Sequence, residues 1–256
     1  MNPPAQHSPR LQLAMLSRRG SRERNEDACG HWGRGVPGQE GPACCVLADG
    51  AGGHGGGDVA SQTAVTAVLE SFAARPACDP ARVLELIAHA NRAVVTGQQA
   101  SDAVRDMRST LVVLLCDPTR GTVVWGHSGD SRLYFFRQGR VMMRTRDHSV
   151  FQSMIDAGMA DAATLRGNPQ RNLLTACLGS IEDFEADALD ENLALLPGDR
   201  FLLCSDGFWE PLGEEEMQEA LQDSPTPQAW LETMERSIVR QARAGQDNYS
   251  AMAIWY

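Results

Sequence analysis

The chain has 256 residues, a formal charge of −10 and no lysine, so its 23 basic residues are all arginine. That length suits a domain with a large core, and 43% hydrophobic with 22% charged residues is the balance of a globular protein. Scattered arginines on an acidic chain exclude a nucleic-acid-binding stripe, and no apolar run reaches membrane-spanning length.

Taken in chain order, residues 1–10 are expected to be disordered and 11–256 to form one domain. Met1–His7 has neither the basic nor the apolar region of a leader, so a cytoplasmic protein is expected. A strand is predicted at Leu11–Ser17, then a charged stretch, Arg22-Glu23-Arg24-Asn25-Glu26-Asp27-Ala28. A second strand, Ala43–Ala48, runs into Asp49 and a glycine-rich turn. Two helices follow, Asp58–Ala73 and Pro80–Gln99. Strands are next predicted at Thr110–Cys116, Thr122–His127, Arg132–Phe136 and Arg140–Thr145, joined by tight turns that imply antiparallel pairing. Phe151–Arg171 reads as short helix and loop, a candidate flap. The strands Ala186–Ala194 and Phe201–Cys204, the helices Glu214–Gln222 and Thr226–Arg243, and the strand Ser250–Trp255 complete the chain. Trp230, Met234, Ile238 and Ala242 repeat at i+4 and give the last helix an apolar stripe. Strands in runs with helix pairs between them predict an α+β fold: a four-layer αββα sandwich, two antiparallel sheets face to face between helix pairs.

Gly50-x-Gly52-x-x-Gly55 matches a dinucleotide fingerprint, but Asp49 would set a negative charge beside the pyrophosphate, and two helices follow where a parallel strand is needed. A P-loop fails for want of a lysine. Seven cysteines, three of them in apolar runs (Cys45, Cys116, Cys204), read as buried free thiols, and no Cys/His spacing supports zinc. Asp49, Asp206 and Asp247 stand at strand ends far apart in sequence, and the Gly50 carbonyl is beside the first. Hard oxygen donors of this kind suit Mg²⁺ or Mn²⁺, so a metal centre at a sheet edge is expected. In the charged stretch Arg22 can hold an anion while Glu26 and Asp27 face metal waters.

Seven motifs then carry a resemblance. Arg22-x-x-Asn25-Glu26-Asp27 and Asp49-Gly50-x-Gly52-Gly53-His54-x-x-Gly57-Asp58 are followed by Ser109-Thr110, Gly129-Asp130-Ser131-Arg132 and Thr145-Arg146-Asp147-His148. Ser205-Asp206-Gly207 and Asp247-Asn248 complete the set. In this order, over Leu11 to Trp255, they resemble the bacterial PP2C (PPM) family of metal-dependent serine/threonine phosphatases. The resemblance implies hydrolysis of phosphoserine and phosphothreonine in proteins by attack of a metal-bridging water at a binuclear Mn²⁺ or Mg²⁺ centre. Asp49 would bridge the ions, the Gly50 carbonyl would bind one, and Asp206 and Asp247 the other. Glu26 and Asp27 would hold coordinated waters, Arg22 the phosphate, and Asp130 with Asp206 a weaker third ion. Implied partners are phosphoproteins and an opposing Ser/Thr kinase, with no nucleic acid or membrane, the enzyme acting as a monomer. Ala51 and Arg108 depart from the family pattern; the first reads as a packing change and the second as a solvent-facing charge. His54, His127 and His148 read as hydrogen-bonding residues, and Trp209 and Trp230 as packing. A catalytically dead phosphoprotein binder and a small-molecule phosphatase or phosphodiesterase are the alternatives.

Overall fold

Two sheets divide the strands. One runs in the order β1 (Gln12–Arg18), β12 (Tyr249–Trp255), β11 (Arg200–Cys204), β7 (Arg132–Arg137) and β8 (Arg140–Arg144). The other runs β10 (Leu193–Ala194), β6 (Thr122–Ser128), β5 (Leu111–Asp117), β3 (Ala43–Ala51) and β2 (Asp27–Trp32), with β4 (Arg108–Ser109) on β3 and β9 (Asp187–Ala188) on β6. Every pairing is antiparallel. This computed structural model describes residues 11–33, 41–51, 56–161, 164, 173–182, 184–241 and 245–256. Residues 1–10, His54, Ala242 and much of the candidate flap lie outside that set.

Alternation along the strands builds the layers. In β3, Cys44, Val46 and Ala48 point to α1 (Gly57–Ala74) and α2 (Pro80–Gly97), while Cys45 and Leu47 point to the other sheet. On the smaller sheet Leu202, Cys204, Ala251 and Ala253 face the far helix layer, where α5 (Glu214–Gln222) and α6 (Pro227–Gln241) bring Met217, Trp230, Met234 and Ile238. Between the sheets lie Val112, Leu114, Trp125, Leu203, Met252 and Ile254, with Phe135 stacked on Phe201 at 5.1 Å. Strands covered on both faces read as continuous apolar runs, which is why β5 is Leu-Val-Val-Leu-Leu-Cys. The helices begin where capping chemistry places them: the Asp79 carboxylate accepts the Arg82 N–H at 2.8 Å, ahead of Pro80 at the first turn of α2. Glu214, Glu215 and Glu216 crowd the positive end of α5. The expected α+β sandwich is what forms.

Three local expectations are corrected. The charged stretch leads into a strand, β2, that periodicity does not reveal. Ala186–Ala194 is not one strand but two short ones, β9 and β10. The turn Ser128–Ser131 is no hairpin: β6 and β7 lie in different sheets, and the turn carries the chain across the gap. Between the ends of the described flap residues, α3 (Val150–Asp156) is capped by the Ser149 hydroxyl, which accepts the Gln152 N–H at 3.1 Å.

Candidate metal centre

The alternation of β3 carries to its end, so Asp49 falls on the face of Cys45 and Leu47 and points into the gap between the sheets. Directly opposite in register stands Asp27 of β2. Two carboxylates facing across an antiparallel pair repel, and poor hydration sharpens the repulsion. Burial, then the charges of Asp27, Asp206 and Asp130, hold the Asp49 carboxyl well above the usual carboxylate range. Its backbone is fixed independently. The Asp49 N–H donates to Thr110 Oγ1 at 3.0 Å, and the Asp49 carbonyl accepts the Thr110 N–H at 2.8 Å and the Ser109 hydroxyl at 3.1 Å.

Asp27 accepts the Ser205 hydroxyl on Oδ2 at 2.8 Å, while its buried Oδ1 has no hydrogen-bond partner among the described residues. Burial pushes its carboxyl up to about 6, against the pull of the Ser250 and Ser205 hydroxyls. Asp206 opens the short helix α4 (Asp206–Trp209), and burial and the neighbouring Asp247 push it up to about 7. Gly207 is required there, since a Cβ would lie 2.0 Å from the Asn248 carbonyl oxygen. Asp130, buried in the inter-sheet turn, is also held well above the carboxylate range by burial and by Asp206.

Asn248 ties the charged stretch to the end of β12. Its Nδ2 donates to the carbonyls of Arg19 and Arg24 at 2.7 and 2.8 Å, and its Oδ1 accepts the Glu26 N–H at 2.8 Å. The stretch so held puts Arg22 over Asp247, with Nη2 to Oδ2 at 2.6 Å. That contact raises the Arg22 pKa. Glu26 is raised by burial and by Asp58. Backbone and side chain converge next to it: a Cβ on Gly57 would fall 2.8 Å from both the Glu26 carboxylate and the Gly50 carbonyl oxygen. Only glycine leaves that space open.

These groups line one cleft of about 270 Å³, bounded by Arg22, Glu26, Asp49, Gly50, Asp130 and Asp206, with Asp247 and Asn248 beside them. Asp27, opposite Asp49 in the β2–β3 register, is not part of the cleft lining. Two wider grooves beside α1, of about 690 and 560 Å³, hold none of Asp49, Asp206 and Asp247. The structure therefore brings seven of the eight sequence-predicted residues into one cleft, between two sheets and not at the edge of one, while Asp27, paired with Asp49 in register, lines the neighbouring groove beside α1. Crowded carboxylates, an orphaned buried carboxylate oxygen and an open backbone carbonyl form a donor set that fits hard divalent cations. Sequence reasoning missed the roles of Asn248 and Ser205, whose signal is only a polar residue beside an acidic one, and of Thr110, which has no acidic neighbour in sequence. It also missed a grouping of His127, His148 and Asp187, which only the fold assembles. Arg132, next to the inter-sheet turn, binds Asp147 with two bonds of 2.8 and 2.7 Å and lies 3.4 Å over the Trp209 ring.

Comparison with known proteins identifies the family. The family profile described as protein phosphatase 2C matches residues 16–247. Serine/threonine protein phosphatase PstP of Mycobacterium tuberculosis is 34% identical over 178 residues, 69% of this chain and 34% of that protein. The alignment thus spans about a third of that relative's length. Serine/threonine phosphatase stp of Listeria monocytogenes is 30% identical over 186 residues, 71% of this chain and 72% of that one. Among solved structures, the catalytic domain of PstP in complex with two manganese ions superposes with a TM-score of 0.79 at 28% identity, covering 95% of this chain and 97% of that one. With a family profile that matches residues 16–247, nearly the whole described chain, the chain belongs to the protein phosphatase 2C family.

Proposed function

We propose that the protein is a metal-dependent phosphatase that releases phosphate from phosphoserine and phosphothreonine in proteins, opposing a Ser/Thr kinase. The observation that carries this is the convergence of Asp49, Asp206, Asp247 and the Gly50 carbonyl in one cleft with Arg22 at its mouth. Asp49 and the Gly50 carbonyl would hold one Mn²⁺ or Mg²⁺, and Asp49, Asp206 and Asp247 a second. Glu26 and Asp27 would accept from coordinated waters, and Asp130 with Asp206 would hold a weaker third ion. Such ions, when bound, make water acidic enough to serve as a nucleophile near neutral pH and offset charge on phosphorus and leaving group.

The protein's own groups divide the remaining work. Arg22 offers a half-exposed guanidinium beside the cleft, a planar fork matched to phosphate oxygens, and Asp247 aims it. Asn248 fixes the backbone from which both Arg22 and Glu26 project. Six of the seven thiols are poor nucleophiles: burial pushes Cys78 up to about 11 and Cys45 up to about 12, and raises Cys29, Cys44, Cys116 and Cys204. The test is a panel of phosphopeptides, nucleotides and sugar phosphates with Mn²⁺, with Mg²⁺ and with excess EDTA. Phosphopeptide turnover that needs the cation and survives thiol alkylation is expected. Turnover that persists in EDTA rejects the metal centre, and a preference for nucleotides or sugars rejects the protein substrate.

Arg22→Ala is expected to raise KM and lower kcat. Hydrogen bonds to charged groups are worth roughly 1.5–3 kcal/mol, so kcat/KM should fall by about tenfold or more. Arg24 turns away to Asp58, at 3.4 Å, and Arg24→Ala should cost less than about threefold. Equal losses would mean that the two arginines act only as a diffuse positive patch. Asp130→Ala should leave two tight ions in place and depress kcat on phosphopeptides. Normal kcat with a lowered Tm would reduce Asp130 to a turn residue.

A further inference from the structure

Behind the cleft, His127 of β6, His148 and Asp187 of β9 come together, the two rings stacked with centroids 4.6 Å apart. Nitrogen and carboxylate atoms of the three lie within 4.8 Å of one another, a spacing that suits a cation. The hydrogen bonds say otherwise. His148 Nδ1 accepts the Gly129 N–H at 3.2 Å, so the ring proton sits on Nε2, which meets Asp187 Oδ2 at 3.1 Å. With Nδ1 accepting and Nε2 protonated, this ring has no lone pair for a metal. His127 donates its Nε2–H to the Arg146 carbonyl at 2.7 Å.

What His148 holds is the turn that carries Asp130. It grips Gly129 twice, since its own backbone N–H also donates to the Gly129 carbonyl at 3.0 Å. Gly129 has a φ of +101°, and a Cβ there would strike Thr110 Cγ2 at 2.7 Å. A glycine in this conformation is a free hinge unless its flanking peptides are pinned. The far side of the turn is pinned by the Trp209 Nε1–H, donated to the Asp130 carbonyl at 3.0 Å, and by the Ser131 and Thr110 hydroxyls, 2.7 Å apart. His148 also joins the turn to a second wall of the cleft. Its carbonyl accepts the Thr175 N–H at 2.9 Å, Ser149 bridges to Leu174, and Leu174 lines the cleft.

We infer that His148, kept in its Nε2–H tautomer by Asp187, is a positioning residue that sets where the Asp130 carboxylate stands and so sets the affinity of the weak third cation site. The inference rests on the reading of Asp130 as a ligand to that ion. Residues that orient metal ligands from behind typically contribute about 10–100-fold in affinity.

The experiment is a Mn²⁺ titration of the full chain, counting free Mn²⁺ by electron paramagnetic resonance, with Mn²⁺-dependent kcat on a phosphopeptide measured in parallel. His148→Gln removes the acceptor at the Nδ1 position, whereas His148→Asn places an amide oxygen there. His148→Gln should weaken the third ion by about tenfold or more, leave two tight ions unchanged and shift the Mn²⁺ dependence of kcat in proportion. His148→Asn should restore the third ion to within about threefold of the parent, as a retained hydrogen bond predicts. Asp187→Ala, on a half-exposed two-residue strand, should weaken it by about threefold, the worth of one lost hydrogen bond. If Asp130→Ala loses the third ion and His148→Gln keeps it, the positioning role is wrong while the third site stands. If Asp130→Ala also keeps it, the assignment of Asp130 falls and this inference with it. Equal losses in His148→Gln and His148→Asn, or disappearance of a tight ion in either, would overturn the inference in favour of plain packing or of a cation held by the trio itself. Should His148→Gln fail to fold, an unchanged third ion in Asp187→Ala overturns it.

Discussion

Asp49→Asn is expected to abolish turnover and yet to leave the metal-free protein more stable than the parent. The substitution keeps the side chain's shape and removes one charge. The hydrogen bonds that fix this position, to Thr110 and from Thr110 and Ser109, all use backbone atoms of residue 49, so the strand end should not move. What changes is the electrostatics. Asp49 faces Asp27 across the β2–β3 register, with Asp206 and Asp130 close enough to raise its pKa. Those carboxylates repel in the metal-free state, and removing the central one relieves the repulsion. The same charge is the one the cleft offers to both proposed tight ions. Loss of kcat/KM by at least about a hundredfold is expected, the upper end of what even indirect metal partners cost. Calorimetry should show Asp49→Asn with a higher Tm than the parent in EDTA and a smaller gain on adding Mn²⁺. An active Asp49→Asn enzyme would show that the bridge lies elsewhere. An inactive one that melts earlier in EDTA would show that the carboxylate is a structural partner and not a crowded ligand.

Why Asp49 was legible in the sequence and Asp130 less so is a matter of which forces act locally. The alternation Cys45, Leu47, Asp49 is a property of one strand, and it already says which face the carboxylate takes. The same holds for Asp206 and Asp247, each next to an apolar strand. β2 was not legible because its apolar pattern is broken by Gly30. That glycine answers to a helix and not to its strand: a Cβ there would lie 2.7 Å from Leu69 and 2.9 Å from Val65 of α1. The turn at Asp130 has the residues of a hairpin, and nothing in Ser-Gly-Asp-Ser tells a hairpin from a crossing between sheets. The answer depends on which partners β6 and β7 find, Gly126 meeting β9 and Leu203 meeting β7. The pairing of His148 with Asp187, 39 residues later, is tertiary from the outset.

Raising the pH from 6.5 to 8 is expected to destabilise the metal-free protein and to enlarge the stabilisation that Mn²⁺ confers. An ordinary Asp titrates near about 3.9. In the folded chain Asp27 is pushed up to about 6 and Asp206 up to about 7, and Asp49 and Asp130 are held well above the usual range. A raised carboxyl means that the folded state keeps its proton where the unfolded state has lost it, so stability falls as pH rises towards the folded value. The Asp27 share is complete near 6, and above 6.5 the fall comes from Asp206, up to about 7, with Asp49 and Asp130 acting in the same direction. His127 works in the opposite sense. Burial and the neighbouring His148 push it down to about 4, so its contribution is lost as pH falls below its unfolded value of about 6.5. Its opposing share fades within about one pH unit above 6.5, so the carboxylates set the slope toward pH 8. Cations bind the deprotonated carboxylates, and each proton that binding displaces strengthens affinity by about tenfold per pH unit within the interval. At a hundredfold excess over Kd one ion contributes about 2.7 kcal/mol. For a chain of this size, at roughly 3 °C per kcal/mol, that is about 8 °C in Tm. Melting curves at pH 6.5, 7.25 and 8, each in EDTA and in Mn²⁺, read both slopes. A metal-free Tm that holds or climbs across the interval, or a Mn²⁺ gain that does not widen with pH, would show that these carboxylates are not the crowded, cation-seeking group that the cleft presents.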